Sequence, residues 1–258
     1  MTILFEKQQN GVARITLNRP DVHNAFNEQM ISDLTDAFAE LEKCSKTRMV
    51  ILSGKGKSFC AGADLDWMKR AAGFSSGENY ADAIRLSDML NALHKLKQLT
   101  ITSVQGAVMG GGLGLVSCSD IVIAKSKTKF ALSEVNLGLI PATISPFVIE
   151  AIGARQAKRY FQTGEFFDSQ QALKMGLIHE ISESNETLEK IVNIALKSAP
   201  EAMQKSKSLV LEISGKSITD QLRQDTASRI AKIRAGDEAK EGLQAFFDKR
   251  KADWIKDV

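Results

Sequence analysis

The sequence predicts an α/β fold that ends in a helical module. Two observations carry this expectation. Through about residue 138, short apolar strands alternate with amphipathic helices, and after Gly138 helical periodicity takes over almost completely. Strands that alternate with helices build parallel units with right-handed crossovers. The 258 residues exceed the usual single-domain length, so one large domain or two unequal ones are open. No repeat or Ser/Pro-rich linker divides the chain, and the expected boundary lies at 196/197, giving a core over 1–196 and a helical module over 197–258.

Ile3 to Lys7 and Val12 to Leu17 alternate at period two around Asn10-Gly11 and predict a β-hairpin. Phe26, Met30, Leu34, Phe38 and Leu41 recur every three to four residues behind Asn27, a good N-cap, and predict a helix to Lys43. Arg48 to Ser53 is a buried strand, Asp64 to Ala71 a short helix, Gly77 to Leu96 a long one, and Ile101 to Gln105 and Ile121 to Ala124 further strands. Beyond Gly138, helices are expected over Ile144–Ile152, Arg155–Thr163, Asp168–Met175, Glu186–Lys197, Pro200–Ile213, Ser217–Ala235 and Asp237–Phe247. Leu177 to Ile181 alone is strand-like there.

Composition excludes several classes. Lys plus Arg, 34, against Asp plus Glu, 31, leaves a charge of only +3, which implies no nucleic-acid partner. Cys44, Cys60 and Cys118 have no CxxC spacing, and His23, His94 and His179 are scattered, so neither a disulfide framework nor a metal site is expected. The first residues lack a basic region followed by an apolar one, so the expected location is cytoplasmic. Gln98 to Ser119 is uncharged, but its Gln, Ser and Thr residues and three consecutive glycines suit a buried strand and turn better than a membrane span.

Three segments can carry chemistry. In Ser58-Phe-Cys-Ala-Gly-Ala-Asp-Leu-Asp-Trp-Met68, small residues follow a strand and open a helix, where unpaired backbone N–H groups can hold an anion or a developing oxyanion. The same segment also reads as a tight connection with Asp64 as N-cap. Gln105 to Leu115, with Gly110-Gly-Gly112, repeats the strand-to-helix pattern, without the spacing of a dinucleotide fingerprint and without the Lys-Ser/Thr of a P-loop. Its glycines serve either ligand approach or close helix packing. The third segment places Glu134 in the apolar run Phe130 to Pro141, where desolvation raises a carboxyl pKa toward the range useful for proton transfer. No GxSxG elbow is present, so a serine hydrolase is excluded.

In order and spacing, these segments resemble the crotonase superfamily, the enoyl-CoA hydratases and isomerases. Asn18-Arg-Pro20 with Asn24-Ala25, Ser58 to Leu65, Gly110-Gly-Gly112, Cys118-Ser-Asp120, Ser133-Glu134 and Ile140-Pro141 all fall where that family has them, and the likeness covers essentially the whole chain. The resemblance implies a spiral of ββα units, a C-terminal module used in trimer formation and commonly a hexamer. It implies that Ala63 and Gly111 supply the backbone N–H donors for an acyl-CoA thioester oxygen, with Glu134 as acid/base. Ala61, Asp64, Leu65, Gly110, Trp67 and Met68 are the expected substrate-binding neighbours, and Lys249 the cation near the 3′-phosphate of CoA. No metal or redox cofactor is implied.

The sequence departs from the family at two points. Its hydratases carry a second glutamate three residues after Gly111, where this chain has Gly114, and the lysine after Asn-Arg-Pro is Asp21. An isomerase working with one carboxylate is therefore the rival to a hydratase, and an RNA-binding relative with weak activity is a further alternative. Leu132 to Val148 is similar to the corresponding stretch of bacterial methylglutaconyl-CoA and isohexenylglutaconyl-CoA hydratases, which favours hydration of a branched or carboxylated 2-enoyl-CoA.

Overall fold

The computed structural model describes residues 1–255, so the last three residues of the expected helical module lie outside the described residues. The chain divides into two compact units, Met1–Leu188 and Glu189–Val258, a division that falls before the 196/197 boundary and inside a helix.

In the first unit a hairpin opens the main sheet: β1 (Ile3–Lys7) runs antiparallel to β2 (Val12–Leu17). Helix α1 (Glu28–Lys43) follows, with the Asn27 side chain accepting from the Met30 N–H. Its apolar stripe of Met30, Ile31, Leu34, Ala37, Phe38 and Leu41 is buried, and full burial of such side chains stabilises by roughly 1.5–3 kcal/mol each. Strand β3 (Met49–Gly54), the short helix α2 (Leu65–Ala71), the long helix α3 (Ser76–Lys95) and strand β4 (Leu99–Val104) continue the alternation. The uncharged stretch becomes β4, β5 (Ala107–Met109) and helix α4 (Gly111–Ser117). Among the described residues no helix is long and apolar enough to cross a membrane.

Strands β6 (Ile121–Ala124), β7 (Lys129–Ala131), β8 (Phe167–Asp168) and β9 (Glu180–Ile181) complete two sheets. The larger has the order β1-β2-β3-β4-β6-β9 and is parallel from β2 onward, while β5-β7-β8 form the smaller. β5, β7 and β8 were not evident in the sequence, because elements of two or three residues carry too little periodicity. Between them, Ser133–Leu137 forms a 3-10 turn and α5 (Ser145–Thr163) follows. Gly153, with φ of 74° and ψ of 154°, breaks α5 into the two helices expected there. Helix α6 (Ser169–Met175) precedes β9, and strands alternating with helices give the α/β class the sequence predicted.

Helix α7 (Glu186–Leu196) spans the division between the units. In the second unit, α8 (Pro200–Ile213), α9 (Asp220–Ala235) and α10 (Asp237–Phe247) follow in turn. Glu238 caps α8 by accepting from the N–H groups of Glu201 and Ala202 at 2.9 and 2.8 Å, and the Trp254 indole donates to the Lys197 carbonyl at 3.1 Å. Ile218, Phe246 and Phe247 of this unit are exposed.

Candidate active site

The site is built where three segments of the first unit converge. Phe26 forms an isolated parallel bridge with Ala63. The Phe26 N–H donates to the Gly62 carbonyl and the Phe26 carbonyl accepts from the Asp64 N–H, both at 2.8 Å. In a trans peptide the carbonyl and the following N–H point opposite ways. With the Gly62 carbonyl turned to Phe26, the Ala63 N–H must face the other side, and among the described residues no acceptor meets it.

The second donor arises in the same manner. Strand β5 ends at Met109, and the Gly110 N–H donates to the Ala131 carbonyl at 3.1 Å, so Gly110 itself has no free donor. Its carbonyl turns into α4 and accepts from Leu113 and Gly114 at 2.9 and 3.2 Å, leaving the Gly111 N–H pointing out of the helix start. Gly110 has φ of 47° and ψ of −117°, a backbone that L side chains avoid. A Cβ there would also lie 3.2 Å from Glu134 Oε1 and 3.9 Å from the Gly62 Cα. The two backbone segments and the Glu134 carboxyl thus meet at one point.

Glu134 sits in the 3-10 turn, which is closed by the Leu139 N–H donating to the Glu134 carbonyl at 3.0 Å. Its Oε2 is buried with no hydrogen-bond partner. Burial pushes the carboxyl above the ordinary glutamate range, offset only in part by a backbone N–H. A carboxylate held this way binds protons readily and gains little from staying ionised, which is the condition for acid/base work near neutral pH.

Asp64 sits beside Ala63 in a different state. Its Oδ1 accepts from the N–H groups of Asp66 and Trp67, and its Oδ2 from Arg19 at 2.8 Å. Burial alone would raise its pKa, but these donors outweigh it and hold the carboxyl below the usual range. Asp64, expected as a substrate contact, is instead committed to capping α2 and pairing Arg19. Arg19 also donates to the Ala25 carbonyl, and the buried Asn24 side chain accepts from the Arg19 N–H and donates to the carbonyls of Lys55 and Ser58. Arg19, Asn24 and Phe26 shape the site and were missed as functional residues. Asn18-Arg-Pro20 was the available signal for Arg19, and the accompanying Asn24-Ala25 for Asn24.

The remaining expected residues fall as follows. Ala61 is half-buried and donates its N–H to the His23 carbonyl, Leu65 is exposed and Met68 half-buried. Trp67 is buried in the core cluster, its indole N–H without a partner. Lys249 belongs to the second unit, exposed and left-handed at the end of α10. Burial pushes the Cys60 thiol up to about 12, which makes it a poor nucleophile. The histidines lie apart, as their scatter in the sequence suggests: His23 contacts Ser58 Oγ, the half-buried His94 faces Glu150, and His179 accepts from the Val122 N–H.

Gly114 lies in the core. A Cβ there would stand 2.7 Å from Ile144 Cγ2 and 3.3 Å from Leu90 Cδ1. The face of α4 that could have carried a second carboxylate is closed by apolar side chains, which leaves Glu134 as the carboxylate among the residues brought together here.

Two outward backbone donors facing a desolvated carboxylate define a site for chemistry next to a carbonyl, where charge gathers on oxygen and a proton moves at a neighbouring carbon. The chain belongs to the enoyl-CoA hydratase/isomerase family, whose sequence profile matches residues 7–257. It is 41% identical to an enoyl-CoA hydratase of Shewanella pealeana, whose crystal structure superimposes with a TM-score of 0.96 over 98% of this chain and 96% of that one. It is 30% identical to the crotonyl-CoA hydratase of Syntrophomonas wolfei, over 98% of this chain and 97% of that protein. It is also 30% identical to the trans-2-decenoyl-[acyl-carrier-protein] isomerase of Streptococcus mutans, over 94% of both chains.

Proposed function

We propose that this enzyme adds water across the double bond of a 2-enoyl-CoA, and that the acyl group is branched or carboxylated, as in 3-methylglutaconyl-CoA. The observation that carries the reading is the buried, unpartnered Glu134 carboxylate against the Gly110 backbone. The thioester oxygen accepts from the Ala63 and Gly111 N–H groups. Glu134 takes a proton from water as its oxygen bonds to C3, the C2–C3 π electrons move onto the thioester, and Glu134 returns the proton to C2. Each backbone donor stabilises the developing oxyanion by roughly 3–4 kcal/mol, the size measured in other oxyanion holes. These steps add OH at C3 and H at C2 with no external oxidant or reductant, and need no metal or redox cofactor.

The hydratase names of the Shewanella and Syntrophomonas relatives support the reaction, and the Leu132 to Val148 stretch supports the acyl group. An isomerase is the second reading. The closed face at Gly114 favours it, because moving a proton from one carbon to another needs one carboxylate, and the Streptococcus relative bears that name. Incubation with 3-methylglutaconyl-CoA, crotonyl-CoA and a 3-enoyl-CoA separates the two. A product heavier by one water supports hydration, and a shifted double bond at constant mass supports isomerisation. We further propose a homotrimer or a hexamer. The exposed Ile218, Phe246 and Phe247 support this, and light scattering in solution tests it.

A further inference from the structure

We infer that Phe26 is a positioning residue that sets the distance between the two backbone donors. This rests on the reading of Ala63 and Gly111 as the groups that bind the thioester oxygen. The Phe26 main chain holds one donor: its N–H and carbonyl bracket Ala63 through Gly62 and Asp64, each at 2.8 Å. Its side chain meets the other, because a Cβ on Gly111 would stand 3.0 Å from both Cδ2 and Cε2 of the ring. The ring is rigid and 1% exposed, so it cannot swing aside. One residue therefore touches both halves of the site, through its backbone on one side and its ring on the other.

A second side chain ties the same segments further back: the Cys60 thiol reaches the Gly62 carbonyl at 3.9 Å, and a Cβ on Gly112 would stand 2.7 Å from the Cys60 Cβ. A Cβ on Gly110 would lie 3.9 Å from the Gly62 Cα, and the Cys60–Val108 bridge ties the strands three residues before each donor, whereas Phe26 acts at the donors themselves. The ring fixes how far the start of α4 stands from the Ala63 peptide. A shift of a few tenths of an ångström to 1 Å there weakens both hydrogen bonds to a developing oxyanion while leaving the grip on the rest of a large substrate intact.

The test uses Phe26→Ala, which removes the ring and keeps the bracketing backbone, and Phe26→Leu, which refills most of the space. Turnover is measured with the preferred enoyl-CoA. The infrared carbonyl band of crotonyl-CoA, isotopically labelled at the thioester carbon, is recorded bound to Glu134→Gln enzyme with and without each Phe26 change. The expected result for Phe26→Ala is a fall in kcat of roughly 10- to 100-fold with KM changed by less than about threefold. Its bound carbonyl band should move back toward the position of the free thioester. Phe26→Leu should recover most of both, and it carries the test alone if Phe26→Ala does not fold, then with a smaller shift in the same direction. A fall in kcat with the carbonyl band held in place, or no change in either, overturns the role of Phe26. A band that is not displaced even with Phe26 present overturns the donor assignment of Ala63 and Gly111 instead.

Discussion

The segments around Asp64 and Glu134 each carry a carboxylate, one next to Ala63 in the chain and one against the Gly110 backbone, and they treat it in opposite ways. Asp64 accepts from two backbone N–H groups and a guanidinium, and its pKa is held down. Glu134 has a buried oxygen with no donor at all, and its pKa is pushed up. A saturated carboxylate is worth its bonds to the fold and resists protonation. An unsaturated one costs stability when ionised and is ready to exchange a proton. The contrast separates the residue that builds the loop from the residue proposed above to react in it.

Breaking the reactive side has the largest expected effect. Glu134→Gln keeps the shape, and turnover should fall by roughly 10²- to 10⁴-fold, the range for loss of a general acid/base. Binding of the saturated acyl-CoA, followed by calorimetry, should be nearly unchanged. Next comes the donor between the two carboxylates. Ala63→Pro deletes an N–H that no protein group uses, so a folded variant, verified by circular dichroism, should lose roughly 10²- to 10³-fold in kcat.

The building side shows in stability rather than in rate. Asp64→Asn retains a capping oxygen but loses the ion pair with Arg19, whose side chains are 21% and 11% exposed, and should cost about 1–2 kcal/mol in denaturant unfolding at neutral pH. Because the folded-state pKa of Asp64 is lowered, this contribution is present above the ordinary aspartate range and vanishes as pH falls through the lowered value. Glu134 has the opposite sign. Its raised pKa means that the folded state favours the protonated form, so stability is fullest below the ordinary glutamate range and declines as pH rises through the raised value. Glu134→Gln should therefore raise the melting temperature slightly at pH 8, with the gain disappearing in acid.

Much of this contrast was legible in the sequence. Glu134 stood out because a carboxylate in an apolar run has few ways to be solvated, and the two small-residue segments because a helix start exposes backbone, while the choice of Ala63 and Gly111 within them came from the family resemblance. Long elements such as α1 were equally plain, since Asn27 and a sustained apolar stripe point to the same helix. The N-cap role of Asp64 was open to reading beside a binding one, but its pairing with Arg19, 45 positions away in sequence and 2.8 Å away in space, was not legible. Phe26 reads as one member of an amphipathic pattern, and only the packing of α4 against it gives it a second role. The absence of a glutamate at position 114 was visible, but not its cause in packing, which rests on Ile144 and Leu90 filling the space.

In the mechanism proposed above, one desolvated carboxylate, Glu134, performs both proton transfers of the site. The pH dependence of kcat/KM with the preferred enoyl-CoA tests it most directly, because kcat/KM reports the ionisations of the free enzyme. The account predicts an acid limb with a single ionisation, displaced above the ordinary glutamate range and absent from the residual activity of Glu134→Gln. Full activity persisting down through the ordinary glutamate range, or the same limb surviving in Glu134→Gln, would contradict it.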